Sequence, residues 1–233
     1  MSLARLQNDN NKKGGVYYEV DTSKLLGKGG MGQVFQGKQI DSKTGLRRDV
    51  AVKFLFSDLP DHAIERARRE ASIHIDDERL LQMYDFIELT DSSDDQGVKK
   101  RYHVASEFID GVRLIDLVHG KTTNQYCEKL EEVENLYKLY KEDRLQFSVK
   151  IISEILEGVK ALHKEGYIHR DLNPNNIMVS AGGHVKIIDY GIAKKIKEMA
   201  KQMALLRHMT DFWPILAGAV CSAHPCYSQR TLL

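Results

Sequence analysis

Two carboxylates eighteen positions apart, Asp171 and Asp189, most constrain what this chain can fold into. Asp171 lies in His169-Arg170-Asp171-Leu172-Asn173-Pro174-Asn175-Asn176, which has the spacing H-R-D-x-x-x-x-N, and Asp189 opens Asp189-Tyr190-Gly191. Upstream, in order, stand a glycine-rich stretch from Leu26 to Val34 and a lysine, Lys53, inside the apolar run Val50 to Leu55. That order asks for a strand-rich first part and a later, helical part that presents the carboxylates on loops.

The strand texture runs from Tyr17 to Phe56, through Val16-Tyr17-Tyr18, Val34 to Gly37 and Asp49 to Leu55, with Gly45 in the turn Asp41 to Asp49. Pro60 to Ile75 reads as a helix with Ile64, Ala67, Ala71 and His74 on one face. Two strands follow, Met83–Leu89 and Arg101–Phe108, separated by a polar loop from Thr90 to Lys100. Beyond them the pattern turns helical. Leu130, Val133, Tyr137 and Tyr140 make one stripe, and Leu145, Val149, Ile152, Leu156, Val159 and Leu162 make another. The mixed charge of Glu128 to Arg144 reads as a solvated helix face inserted between core helices. The expected class is therefore α+β in two lobes. Residues 1–16 are a disordered polar lead, 17–110 an antiparallel sheet with one main helix, and 111–233 an incomplete, mainly helical second lobe.

Composition excludes several functions. With 34 Lys and Arg against 33 Asp and Glu, the net charge of +1 offers no field to draw in nucleic acid or an anionic membrane. Cys127, Cys221 and Cys226 lack paired C-x-x-C spacing, which argues against a disulfide framework and a zinc site. The polar N-terminus has no apolar signal core, and the late apolar run Trp213 to Cys221 is too short to span a bilayer. A cytoplasmic protein is expected.

The motifs carry a chemistry. Leu26-Gly27-Lys28-Gly29-Gly30-Met31-Gly32-Gln33-Val34 contains G-x-G-x-x-G-x-V. Such a hairpin folds closely over phosphates, with backbone N–H groups facing them and no Cβ in the way. A dinucleotide fingerprint looks similar, but it opens a helix and is followed about 20 residues later by a ribose-binding acid. Here Val34-Phe35 continues as strand, and Lys53 occupies that later place. Lys53 is placed to hold phosphates, and a lysine there requires a carboxylate partner. Glu70, on the following helix, is the candidate; Glu65, five positions earlier, faces another side. Asp171 accepts or orients the proton of a substrate hydroxyl. Asn176 and Asp189 offer oxygen ligands to Mg²⁺, a hard ion that takes few protein ligands and keeps phosphates and water. His169 reads as a structural side chain beneath the loop, and Arg170 as a receiver for a phosphate on the following segment.

Taken together, residues from about 17 to about 195 resemble the protein-kinase family in these motifs and their order. The Asn173-Pro174 stretch after Asp171, standing where a Lys-Pro is usual, leans toward serine/threonine kinases of bacterial type. The resemblance implies a bilobal fold, ATP with Mg²⁺, and a protein hydroxyl as acceptor. It also implies that the strand Arg101–Phe108 leads into a hinge, with Ser106 in the gatekeeper position. Glu107 and Ile109 would offer backbone groups to adenine, Met178 would form its floor, and Val34 and Ala51 its roof.

Three departures bear on activity. Asn173 replaces the lysine that steadies the migrating phosphoryl group, so a neutral amide should lower the rate. Tyr190 stands for the Phe of D-F-G. The stretch Ala223 to Ser228 resembles the end of an activation segment only faintly, and the chain stops at Leu233, before the family's central second-lobe helix. A truncated or altered end is expected, with self-association through the apolar face left uncovered. Three readings stay open: an active serine/threonine kinase, a decayed remnant that binds nucleotide as a regulatory module, and a small-molecule phosphotransferase of the same fold.

Overall fold

The structure, a computed structural model, describes residues 3–93, 97–189 and 194–195. The chain divides into two compact units. The first is built on residues up to Asp76 and on Leu81–Ile109, the second on Asp77–Leu80 and Asp110–Ile188.

The first unit comprises β1 (Leu3–Leu6), α1 (Asp9–Gly14), β2 (Val16–Gly29), β3 (Gly32–Asp41), β4 (Arg47–Leu55), α2 (Asp61–Ala71), β5 (Met83–Ser93) and β6 (Gly97–Glu107). Its strands form one antiparallel sheet in the order β1-β2-β3-β4-β6-β5. Side chains alternate between the two faces of a strand, so the register sorts the residues. On one face Phe35, Val52 and Ala105 lie in adjacent strands, and they close a core with Leu6, Tyr18, Val20, Val50 and Ile87. On the other face Gly27, Val34, Lys53 and Val104 form one row, and Gln36, Ala51 and Ser106 the next. From α2, Arg68 lies over the Phe86 ring at 4.4 Å and bonds Glu88 of β5 at 3.0 Å.

Three expectations are corrected here. The supposed disordered lead of residues 1–16 is ordered over its described residues, 3–16. β1 pairs with Tyr18–Asp21 of β2 and buries Leu6, while α1 starts in a reciprocal capping box between Asn8 and Asn11. Polar composition concealed this, because the segment is held by backbone pairing and caps and buries a single apolar side chain fully. The polar stretch 90–100 is largely ladder, since Leu89↔Arg101 continues through Ser93↔Gly97. Strand pairing uses backbone groups, which polar side chains do not prevent. Finally, α2 ends at Ala71, four residues short of Ile75, where Ser72 Oγ donates to the Arg69 carbonyl.

The second unit comprises β7 (Gly111–Arg113), α3 (Leu114–Val118), α4 (Glu131–Glu142), α5 (Arg144–Lys164), β8 (Tyr167–Ile168), a 3-10 turn (Pro174–Asn176), β9 (Ile177–Ser180), β10 (Val185–Ile187) and β11 (Lys194–Lys195). Its strands make a small sheet in the order β10-β9-β7 and a pair β11-β8. The mixed charge of α4 faces outward around buried Val133 and Leu136, so Leu136 takes the inner place expected of Tyr137.

On α5 the expected stripe is wrong in its first half. Phe147, Ile151, Ile155, Val159 and Leu162 are buried, whereas Leu145, Val149 and Leu156 are 59%, 57% and 39% exposed. The helix carries two apolar stripes, and periodicity alone does not choose between them. Gly158 marks the inner side: a Cβ there would meet Ile187 Cδ1 at 2.9 Å and Arg79 Cβ at 3.1 Å, so this face is in close contact with neighbouring segments. Among the described residues no helix is long and apolar enough to cross a membrane. The run Trp213 to Cys221 and the stretch Ala223 to Ser228 lie outside the described residues.

Candidate active site

The glycine-rich stretch forms the hairpin joining β2 to β3, with Gly27↔Val34, Lys28↔Gln33 and Gly29↔Gly32 paired and Leu26 just before them. Gly30 and Met31 make the turn. The glycines divide into two kinds. A Cβ on Gly32 would strike the Phe54 carbonyl, so this glycine serves the packing of β3 on β4. A Cβ on Gly27, Gly29 or Gly30 would meet nothing within 4 Å. Packing does not require glycine at these three positions, which leaves their backbone open to a ligand.

Next in the row stands Lys53, on β4 opposite Val34 of β3 and Val104 of β6. Ala51 and Ser106 are cross-strand partners on the same face. The register therefore brings Val34, Ala51, Lys53 and Ser106 to one face of one sheet. The expected ion pair between Lys53 and Glu70 is not formed: Lys53 has no carboxylate within 4.0 Å among the described residues, and Glu70, on α2, is engaged elsewhere. Sharing a unit does not fix the meeting of two long side chains, because their rotamers are free to satisfy other partners. At the end of β6 the Glu107 N–H donates to the Gln82 carbonyl at 2.8 Å, and the Glu107 carboxylate accepts from the Gln82 N–H at 3.2 Å. The Glu107 carbonyl accepts from the Ser106 hydroxyl at 3.4 Å. Ile109 closes the first unit.

The second unit carries the Asp171 loop, between β8 and β9. Arg170 has φ 66, a left-handed conformation that costs a residue with a Cβ on the order of 1 kcal/mol and persists only where neighbours enforce it. Those neighbours are visible. His169 is 1% exposed; its Nε2–H donates to the Ile188 carbonyl at 3.0 Å, and its Nδ1 accepts from the Asp171 N–H at 3.3 Å. The Ile188 N–H in turn donates to the Asn176 carbonyl at 2.9 Å. Leu172, buried at 4%, pins the loop from within. His169 is thus the structural side chain that its place in the motif implies.

The Asp171 carboxylate is held at both oxygens. Asn176 Nδ2 donates to Oδ2 at 2.9 Å and to the Asp171 carbonyl at 2.9 Å. Asn173 Nδ2 donates to Oδ1 at 3.1 Å and to the same carbonyl at 3.0 Å. Met178 lies on β9, opposite Arg113 and Lys186. Asp189 has φ 61, which Asp tolerates better than most residues, and it groups with the first unit. Tyr190 and Gly191 lie outside the described residues. Among the described residues no group of three or more His, Cys, Asp or Glu side chains could hold a metal.

Sequence reasoning missed two participants, Ile188 and Gln82. Both act through backbone groups, which no residue-type pattern records.

Comparison with known proteins gives one consistent result. A family model described as protein kinase domain matches residues 20–213. The chain is 33% identical over 177 residues to a probable serine/threonine-protein kinase PknB of Lactococcus lactis, covering 75% of this chain and 24% of that protein. It is 31% identical over 183 residues to the serine/threonine-protein kinase PknB of Mycobacterium tuberculosis, covering 76% and 25%. With the probable PknB of Bifidobacterium longum it shares 30% over 185 residues, covering 77% and 23%. The chain spans about a quarter of the length of the curated relatives it matches.

Proposed function

The chain belongs to the protein kinase domain family, and on that premise we propose that it transfers the γ-phosphoryl group of Mg·ATP to serine or threonine hydroxyls of a protein. The observation that carries this reading is the Asp171 loop, whose carboxylate is fixed by two amides while Asn176 keeps its own oxygen uncommitted. A carboxylate held in this way suits a group that accepts, or orients, the proton of an attacking hydroxyl.

The remaining residues divide the work. Glycines 27, 29 and 30 leave backbone open for phosphates, and the Lys53 ammonium, without a carboxylate neighbour among the described residues, is available to the α- and β-phosphates. Val34, Ala51 and Ser106 share its face and supply the apolar side of an adenine site, with the backbone of Glu107 and Ile109, in the same unit, as its hydrogen-bonding edge; the family pattern assigns the floor to Met178. The donor types fit Mg²⁺: both contacts of Asn176 to Asp171 run through Nδ2, so its Oδ1 could serve as a hard oxygen ligand, and the Asp189 carboxylate is a second donor of the same kind. Bound there, the ion supplies neutralisation of phosphate charge in the transition state. The family pattern pairs Lys53 with Glu70 of α2, which would have to exchange its present interaction to orient the ammonium when nucleotide is present.

Nucleotide titration beside a radiolabel-transfer assay tests the reading. Lys53→Met and Asp189→Asn should abolish transfer, the first through lost phosphate positioning and the second through lost metal. Asp171→Asn should bind Mg·ATP like the unaltered chain and transfer nothing. Mg·ATP binding by the unaltered chain without transfer to any protein would replace this reading by that of a nucleotide-binding regulatory module. Transfer to small-molecule acceptors alone would replace it by that of a small-molecule phosphotransferase.

A further inference from the structure

Asn173 stands where a cation is usual in this loop, yet its side chain is fully employed. Both contacts of Nδ2 go to Asp171, to Oδ1 at 3.1 Å and to the carbonyl at 3.0 Å. Its Oδ1 accepts from the Asn175 N–H at 2.9 Å and so caps the 3-10 turn that presents Asn176. Asn176 returns from that turn to the other carboxylate oxygen. One amide therefore closes a ring, Asp171 to Asn173 to Asn175 to Asn176 and back to Asp171, directly after the strained Arg170. A carboxamide can do this because it carries two N–H donors and an acceptor; an ammonium carries donors only.

We infer that Asn173 is a positioning residue that fixes the orientation of the Asp171 carboxylate through its amide. It is then not a weak substitute for a lysine. The chain holds its acceptor-facing carboxylate by neutral hydrogen bonds, and the same amide sets the turn that carries the metal-ligand residue. Asn173→Lys would leave the Asn175 N–H without its cap and should lower kcat, even though it adds a positive charge. The kinetic part of the inference rests on the phosphoryl-transfer reading above; the geometric part does not.

The decisive variant is Asn173→Asp. Asp caps a turn as well as Asn does, so a residue that only capped Asn175 would tolerate the change. A residue that positions Asp171 would not, because its donor becomes a second carboxylate. The expected result is a fall in kcat on the order of tenfold, the scale of one hydrogen bond to a charged group, with KM for Mg·ATP unchanged. Thermal unfolding supplies a readout independent of turnover. Asn173→Asp should lower Tm in the unaltered background and do so far less beside Asp171→Asn, where amide and carboxylate have merely exchanged places. An equal Tm loss in both backgrounds, or an unchanged kcat in Asn173→Asp, overturns the inference. If the unaltered chain transfers no phosphoryl group, the kinase reading fails, and the thermal cycle alone decides the positioning role.

Discussion

Asn11 donates its side-chain amide to Asp85 Oδ2 at 2.6 Å and thereby ties the helix before the sheet to the sheet's far edge strand. β1 covers the opposite edge through its pairing with β2, so β1 and α1 together brace both ends of the strand order. The same Asp85 oxygen is 3.4 Å from the hydroxyl of Tyr18, which is 1% exposed. Burial, and after it the Asp85 charge, push the Tyr18 hydroxyl far above the usual phenol range, so it stays a neutral donor. The family match begins only at residue 20. A chain lacking residues 1–14 should lose several degrees of Tm, since it uncovers the Leu6 contact and strips β2 of a partner. Asn11→Ala should cost about 1–2 kcal/mol in urea unfolding. An unchanged Tm in the shortened chain would show that this brace contributes nothing.

His103 sets the acid limit of the first unit. It is 3% exposed, neither ring nitrogen has a hydrogen-bond partner among the described residues, and its ring meets Phe54 edge-on at 4.3 Å. Desolvation, with a smaller contribution from the Arg101 charge, lowers its pKa to about 4. The neutral form is thus favoured in the fold, and the unfolded chain binds the extra proton. The stability this provides is complete above the ordinary histidine pKa of about 6.5 and is lost as pH falls toward 4, by on the order of 3 kcal/mol. His103→Phe should remove most of this dependence and raise Tm at neutral pH, because no buried nitrogens remain unpaired. Parallel Tm-against-pH curves for the two proteins between pH 4 and pH 7 would refute it.

Ser106 and Ala51 are cross-strand neighbours, so two small side chains stand together on the face that carries Lys53. Purine nucleotides with a bulky aromatic substituent on the exocyclic nitrogen should bind the unaltered chain. Ser106→Met should weaken such ligands by roughly 1–3 kcal/mol through overpacking while leaving ATP affinity nearly unchanged. Calorimetric titration of both proteins decides this. Equal affinity for the bulky analogue would mean that the base does not reach Ser106.

On α5 the two apolar stripes should respond in opposite ways. Phe147→Ala removes a buried ring that Tyr140 contacts edge-on at 5.1 Å, and should cost about 3–5 kcal/mol. Val149→Gln, two positions on and 57% exposed, should change stability by less than about 0.5 kcal/mol and reduce self-association if that face is sticky. Chemical denaturation of the two variants checks the contrast. A large loss in Val149→Gln would place that face inside a packed interface.

How much of this was legible in the residues depends on what carried each feature. The β2–β3 hairpin, Lys53 on an apolar strand and the Asp171 loop were readable because side-chain type and spacing mark them directly in the sequence. The ordered lead of β1 and α1, and the long β5–β6 ladder, were not, because backbone hydrogen bonds and caps hold them and polar residues hide such bonds. The absent Lys53–Glu70 contact was over-read from proximity along the chain.

The sequence by itself determined the set of chemical groups: a run of glycines, an ammonium, two carboxylates and the amides at 173 and 176, in the order of the protein kinase domain. Tertiary structure alone decided which of two apolar stripes on α5 is buried, and that His103 is buried with no hydrogen-bond partner among the described residues. It also decided that Asn173 turns its amide onto Asp171. Periodicity and composition fix what a side chain is and which way a regular element repeats. Burial, rotamer and hydrogen-bond partner are settled only when distant segments such as Ile188, Asp85 and Gly158 come into contact, because their energies depend on what displaces water from each group.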